Sequence, residues 1–271
     1  TLYVSTANFT AKGETGTPDF QFDVPSSNLA SWITVGTQEL TLESQRTQQV
    51  PFTITIPETA EPGGYYAGIF FGTQPLQNTG AGQIGIGSKI GTLIILRVEG
   101  EIFESATIEE FGFDVAKSKF NRLPLNFMLR MRNNGNVHVR PTGTVTVRNM
   151  LGGESVSLLM NQAHGAVLPS SIRRFEALWK KQADTQKQGD FFQELGREWK
   201  NFGLGNYTAT ATMEFGQQKQ VLTASTSFTI FPWRVLLISV FVLILVILLL
   251  VFLIQQYNAM IIKRALRNKG S

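Results

Sequence analysis

Hydrophobic and polar positions alternate along most of the first 230 residues of the chain. Apolar side chains recur at every second position in short runs, and turn residues separate these runs. The clearest run extends from Leu123 to Met131, where the odd-numbered residues are all apolar. Period two is typical of strands with one buried face, and many short strands without helical period predict an all-β fold of β-sandwiches.

One stretch breaks this alternation. Val235–Ile254 is apolar throughout, with Ser239 as its single polar residue. A helix of about twenty residues rises about 30 Å, which matches the hydrocarbon core of a bilayer. A buried core helix would keep a polar stripe, and this stretch has none. The pattern therefore predicts one C-terminal transmembrane α-helix over residues 233–256, followed by a tail over residues 257–271.

The flanks of this stretch predict its depth and orientation. Trp233 and Arg234 precede it and Tyr257 follows it, so we expect these three residues at the membrane interface. The tail contains no acidic residue and carries four basic residues that we expect to form a cytoplasmic anchor: Lys263, Arg264, Arg267 and Lys269. The positive-inside rule then places residues 1–232 outside the cell. This topology needs an N-terminal signal sequence, which we expect to have been removed or omitted.

The part before the span is long enough for two small β domains, predicted at residues 1–100 and 101–232. In the first, strands are expected at Trp32–Val35 and Val50–Ile56, and a nearly continuous apolar strand, suited to the centre of a sheet, at Tyr65–Phe71. Its tryptophan and its Pro-Gly-x-Tyr pattern resemble the immunoglobulin-like plan, in which a tyrosine hydroxyl closes a corner onto the backbone; Tyr66 is the candidate. Residues 205–209 echo residues 64–68, which predicts a second copy of the sandwich.

A glycine-rich segment over residues 74–88 is longer than a tight hairpin needs. It lacks the Gly-Lys-Ser/Thr ending and the following helix of a phosphate loop. Two interpretations remain open, a floppy hairpin tip and an adaptable binding loop. The residues of the candidate binding loop are Gln77, Asn78, Gln83, Ile84 and Ile86.

An insertion over residues 180–204 has a different pattern. Phe191, Phe192, Leu195 and Trp199 recur at helical spacing, with Asp190 as a candidate cap. The last strand must end at the bilayer, so the insertion that feeds its antiparallel neighbour should lie close to the membrane. We expect the aromatic residues to enter the interface. The alternatives are that they cover the bottom of the sandwich or contact a neighbouring chain.

Charge and composition exclude several function classes. Residues 1–100 carry a net charge of −4 and residues 101–232 carry +3, so the net charge of +4 comes from the five positive charges of Arg234 and the tail. No basic stripe is interleaved with aromatic residues, so we expect no nucleic-acid partner. The chain contains no cysteine and two histidines, His138 and His164, neither at zinc-ligand spacing. Without a nucleophile motif or a paired carboxylate, we expect no enzymatic activity, no cofactor and no metal.

Several motifs together resemble one bacterial surface family. They are Phe52–Ile56, Pro62–Phe71, Arg174–Trp179, Phe202–Tyr207 and the Pro232-Trp233 pair before the span. The layout is similar to that of membrane-anchored proteins with two immunoglobulin-like domains related to the WxL-interacting family. This resemblance implies a signal peptide, one C-terminal span and a short basic tail. It also implies peptidoglycan association for the first domain, and partner or host proteins for the second.

The expected function is that of a single-pass cell-surface binding or adhesion protein. Its partners would be the lipid bilayer and an envelope protein or peptidoglycan. The alternative is a structural subunit of a larger membrane or envelope assembly, with homo- or hetero-oligomerisation left open.

Overall fold

The computed structural model describes residues 1–22, 28–73, 88–115, 117–182 and 189–269, with side chains up to residue 261. Strands and one apolar helix account for most of this part of the chain. In chain order the elements are β1 (Leu2–Lys12), β2 (Thr17–Gln21), α1 (Asn28–Trp32), β3 (Ile33–Val35), β4 (Glu39–Leu40), β5 (Phe52–Ile54), β6 (Gly63–Gly72), β7 (Lys89–Val98), β8 (Ala106–Phe113), β9 (Lys119–Phe120), β10 (Leu125–Asn133), β11 (Thr142–Asn149), β12 (Glu154–Met160), β13 (Ile172–Trp179), α2 (Phe191–Lys200), β14 (Gly205–Phe215), β15 (Gln220–Ile230) and α3 (Trp233–Lys269).

The N-terminal half, β1–β7, is built on one antiparallel sheet of order β2-β1-β6-β7, with β4 paired to β1. The apolar strand β6 lies between β1 and β7, as predicted for a central strand. One face of the sheet is covered by α1 and by the small β3–β5 ladder, and Ile33, Ala67 and Ile69 are buried there. The other face carries aromatic side chains, including Phe9 and Phe70.

Two strand predictions in this half are corrected by the structure. Trp32 was expected to open a strand, but it ends the short helix α1, and β3 begins at Ile33. A tertiary contact holds this helical turn, because the side chain of Asn8 accepts a hydrogen bond from the Ala30 backbone at 2.9 Å. The run predicted at residues 50–56 pairs only over Phe52–Ile54.

The C-terminal half, β8–β15, is a β-sandwich. One sheet has the order β13-β10-β8 and the other the order β12-β11-β14-β15-β9, in which β9 pairs in parallel with the end of β15. The alternation predicted for β10 is present except at Met128, since Phe127, Leu129 and Met131 are buried but so is Met128. Ala211 and Met213 of β14 belong to the same core. Burying each large apolar side chain stabilises the fold by about 1.5–3 kcal/mol.

The two halves share a sheet topology. In each, a hairpin (β1–β2 or β11–β12) pairs through its first strand with a second hairpin (β6–β7 or β14–β15). The equivalence begins at a glycine with positive φ, Gly63 in one half and Gly205 in the other. Two residues later comes a tyrosine whose hydroxyl bonds back to a carbonyl: Tyr65 donates to Glu61 at 2.9 Å, and Tyr207 to Leu204 at 3.2 Å.

The prediction that Tyr66 closes the corner is therefore wrong, and Tyr65 has that role. Successive side chains of a strand point to opposite faces, so a shift of one residue moves a side chain across the sheet. The ring of Tyr66 packs instead against Phe9 and His138. Its hydroxyl is buried without a hydrogen-bond partner that meets standard geometry among the described residues, and burial raises its pKa.

Polar contacts hold the two halves together on both sides of the connection between β7 and β8. The carboxylate of Glu14, in the β1–β2 turn, accepts a hydrogen bond from Arg130 Nε at 2.8 Å, and this bond lowers the pKa of Glu14. The Glu14 carbonyl accepts from the Arg174 backbone at 2.8 Å. Glu104, in the connection, accepts from Arg97 of β7 at 3.2 Å and from the Gln217 backbone of the C-terminal half at 2.7 Å. These contacts fix the orientation of one half relative to the other.

Candidate functional site

The insertion predicted to be helical forms α2, which is capped at its start and anchored to the sandwich at its end. Asp190 is the N-cap, as predicted, and its side chain accepts a hydrogen bond from the Gln193 backbone at 2.8 Å. At the other end, buried Asn201 accepts through its carbonyl from the Leu123 backbone at 3.2 Å and through its side chain from the Gln182 backbone at 3.1 Å. The helix is therefore anchored to the sandwich through residues beyond its C-terminal end.

The buried face of α2 is the charged one. Glu194 and Glu198, one turn apart, are buried, whereas Phe192 is 76% exposed and Trp199 is 70% exposed. An ordinary surface helix of a soluble protein buries its apolar stripe and exposes its charges. The exposure of Phe192 and Trp199 contradicts the interpretation that they cover the bottom of the sandwich. These aromatic rings face away from the protein.

Arginine residues neutralise the first buried carboxylate. Glu194 accepts from Arg122 at 2.6 Å and from Arg197 at 2.8 Å. Burial alone would raise the pKa of Glu194, but its bonds with Arg122 and the Gly189 backbone outweigh burial, and the net direction is downward. Glu194 is thus held as a carboxylate and ties α2 to the segment before β10.

The second carboxylate caps the start of the apolar helix. Glu198 is fully buried, and its Oε2 accepts from the backbone amides of Arg234 and Val235 at 3.0 and 3.3 Å. Its Oε1 pairs with the Arg234 guanidinium at 2.7 Å. The first amides of a helix lack intrahelical partners and carry partial positive charge, so a carboxylate at this position stabilises the helix. Glu198 therefore joins α2 directly to α3.

Helix α3 extends from Trp233 to Lys269, and its segment Trp233–Ile261 is the one helix in the described chain that is long and apolar enough to cross a membrane. None of its most apolar window is buried against the rest of the protein. Such an apolar surface needs a nonaqueous environment. The structure thus confirms the sequence-based expectation of a β-sandwich ectodomain followed by one helix of membrane-spanning character.

Exposed apolar side chains surround the start of α3. Phe191 packs edge-on against Trp233, with ring centroids 6.1 Å apart, and also against Phe192. We call this set the aromatic collar; it comprises Phe191, Phe192, Trp199, Leu204, Phe231 and Trp233, all exposed. Tyr257, also exposed, is 24 residues beyond Trp233, a rise of about 36 Å along a helix. This separation matches that between the two interfaces of a bilayer.

The remaining predicted residues lie at the start of α3, at its end and in the glycine-rich loop. Arg234, which we expect at the membrane interface, pairs with Glu198, and its guanidinium lies over the Trp233 ring at 4.6 Å. The basic residues of the tail, Lys263, Arg264, Arg267 and Lys269, lie on the last turns of α3. The candidate binding loop, with Gln77, Asn78, Gln83, Ile84 and Ile86, lies outside the described residues.

The structure describes the strand residues on either side of this loop. Gly72 and Lys89 are paired at one end of the β6–β7 hairpin. Gly63, at the other end of β6, lies beside the C-terminal half, where the Gly64 backbone donates to the Asn136 carbonyl at 2.9 Å. Gly72 and Lys89, which flank the loop, therefore lie at the end of the β6–β7 hairpin opposite its contact with the C-terminal half.

Among the residues that the structure describes, no group of three His, Cys, Asp or Glu side chains is placed to hold a metal ion. No protein-family model matches the chain, and no curated protein matches it. A solved structure of a chaperone–tip adhesin complex in CFA/I fimbriae biogenesis contains a similar chain, with 15% identity and a TM-score of 0.37. The alignment covers 83% of this chain and 84% of that one.

Proposed function

We propose that this chain is a single-pass, membrane-anchored cell-surface protein that presents its β-sandwich ectodomain to an envelope glycan or a partner protein. The observation that carries the proposal is the junction at Glu198. A fully buried carboxylate of the ectodomain caps the apolar helix, so the two parts form one body. A flexible tether would require no such contact.

The four basic residues of the tail support an orientation with the C-terminus in the cytoplasm and the ectodomain outside. The contacts of Glu14 and Glu104 support a stiff ectodomain. The position of Gly72 and Lys89, at the end of the β6–β7 hairpin away from the C-terminal half, supports a binding role for the segment between them. The net charge of −4 over residues 1–100 favours a basic surface on the partner and binding that weakens with salt.

The proposal is tested with the full chain in lipid nanodiscs. Discs carrying the chain are mixed with purified peptidoglycan, and separately with a detergent extract of the native envelope. We expect glycan or one defined protein to retain the chain, less strongly at high salt. A matched variant replaces Gln77, Asn78 and Gln83 with alanine and is expected to lose retention.

Two outcomes would contradict the proposal. The first is a chain that alkaline washing removes from membranes, because a spanning helix resists such extraction. The second is a chain that neither ligand retains and that gentle detergent extracts in a complex of fixed stoichiometry. This second result would favour the structural-subunit alternative.

A further inference from the structure

The hairpin turn between β11 and β12 carries two apolar side chains at its tip. Met150 is 71% exposed and Leu151 is 87% exposed. Turn tips are ordinarily occupied by polar residues and glycine, and a single exposed leucine would need no explanation. Two adjacent apolar residues at the end of a rigid hairpin form a small apolar surface, and the role of this surface depends on which part of the surroundings it faces.

The turn is held in one conformation by its own hydrogen bonds. The Asn149 side chain accepts from the backbones of Leu151 and Gly153, both at 3.0 Å. The Asn149 backbone donates to the Gly153 carbonyl at 2.9 Å, and Gly152 has φ of +83°. The two apolar side chains are therefore presented by a preformed tip.

The strand register places this tip at the membrane end of the sandwich. Asn149 pairs with Tyr207, and two residues before Tyr207 is Gly205, which pairs with Ile230 at the end of β15. The sulfur of Met150 lies 3.3 Å from the position that a Cβ on Gly205 would occupy. Since α3 begins three residues after Ile230, the tip is at the same end of the sandwich as the aromatic collar.

We propose that the Met150–Leu151 tip inserts into the headgroup–acyl boundary of the bilayer that α3 spans. This inference rests on the proposed function, because it needs α3 in a membrane. Apolar side chains with neighbouring basic residues suit that boundary, and exposed Arg148 and Lys200 supply the positive charge. Glu154, opposite Arg148 in the ladder, offsets part of that charge. The tip and the collar would then both contact lipid at this end of the sandwich and fix the tilt of the ectodomain.

The absence of cysteine from the chain permits a direct depth measurement. Three single-cysteine variants of the full chain carry a nitroxide label in nanodiscs with anionic lipid, each disc large enough to hold two chains. Leu151→Cys reports the tip. Val221→Cys is the matched control, an exposed apolar residue near the opposite end of the same sheet. Leu245→Cys reports the middle of α3. Collision rates with lipid-soluble oxygen and with a water-soluble nickel chelate give the depth of each label.

We expect the oxygen-to-nickel ratio at residue 151 to exceed that at residue 221 severalfold, and residue 245 to have the highest ratio. Equal ratios at 151 and 221, with residue 245 deep, would overturn the inference and leave the membrane anchor intact. A water-accessible label at 245 would overturn the proposed function and the inference with it. If the tip is shielded from nickel without gaining oxygen contact, and dilution with unlabelled chain removes spin–spin broadening, a second copy covers it and the inference is wrong.

Discussion

Replacement of Glu198 by alanine should uncouple the ectodomain from α3. The side chain is fully buried, pairs with Arg234 and accepts from the amides of Arg234 and Val235. Removing one partner of a buried ion pair leaves the other charge uncompensated, which costs about 3–5 kcal/mol. Loss of a capping acceptor costs about 1 kcal/mol more. The expected loss in the free energy of unfolding is therefore about 4–6 kcal/mol.

For an ectodomain of this size, each kcal/mol lowers the unfolding temperature by about 2–4 °C, so the expected shift is about 8–24 °C. The assay is thermal unfolding of the full chain in nanodiscs, followed by circular dichroism of the strands. Hydrogen exchange at the amides of Arg234 and Val235 should also accelerate in the variant, because each amide loses its acceptor.

The matched control is Glu109→Ala, which breaks an exposed pair with Arg132 at 2.8 Å. Exposed pairs contribute about 0–1 kcal/mol, so this variant should unfold close to wild type. The double variant Glu198→Ala/Arg234→Ala should be less destabilised than the sum of its single variants. If Glu198→Ala unfolds within about 1 kcal/mol of Glu109→Ala, the buried junction does not hold the helix and the reasoning is wrong.

Three further predictions concern the ectodomain, each measured by denaturant unfolding. Tyr65→Phe should lower the free energy of unfolding by about 0.5–1.5 kcal/mol, because it removes the hydrogen bond to Glu61, whereas Tyr66→Phe should be neutral or stabilising. A larger loss in Tyr66→Phe than in Tyr65→Phe would show that Tyr66 is the corner residue. Asn133→Ala should lower the free energy of unfolding by about 2–4 kcal/mol, because this buried side chain makes three hydrogen bonds to backbone groups. A loss below about 1 kcal/mol would show that these bonds do not stabilise the fold. Burial lowers the pKa of His138 from its usual 6.5, so the folded protein resists protonation at this residue. The free energy of unfolding should therefore be highest above pH 6.5 and should fall at lower pH, and the fall should be smaller in His138→Gln. An equal pH response of the wild-type protein and the variant would exclude His138 as the cause.

The strands and the apolar helix were predictable because their signals are local. Alternation in β10 and unbroken apolarity in α3 each reflect one environment that persists over the whole element. The repeat between the halves was also visible in sequence. Its register was missed by one residue, because Tyr65 and Tyr66 are both aromatic and only the backbone decides which of them faces the corner.

The junction at Glu198 could not be predicted, because its partners are 36 and 37 residues away in sequence. The apolar spacing in α2 correctly indicated a helix, and Asp190 its start. It did not reveal that the carboxylates would be buried and the aromatic residues exposed. A glutamate pair at spacing i, i+4 is ordinarily a solvated face, and only the placement of Arg122 and Arg234 made burial possible.

Cysteine labelling in intact cells tests membrane anchoring most directly. Single cysteines at Val221, Leu245 and Ser271 are treated with a membrane-impermeant maleimide. Residue 221 should react in intact cells, residue 271 only after permeabilisation, and residue 245 only after denaturation. Reaction at residue 271 but not at residue 221 in intact cells would invert the topology, and reaction at residue 245 in intact cells would show that α3 does not cross the membrane.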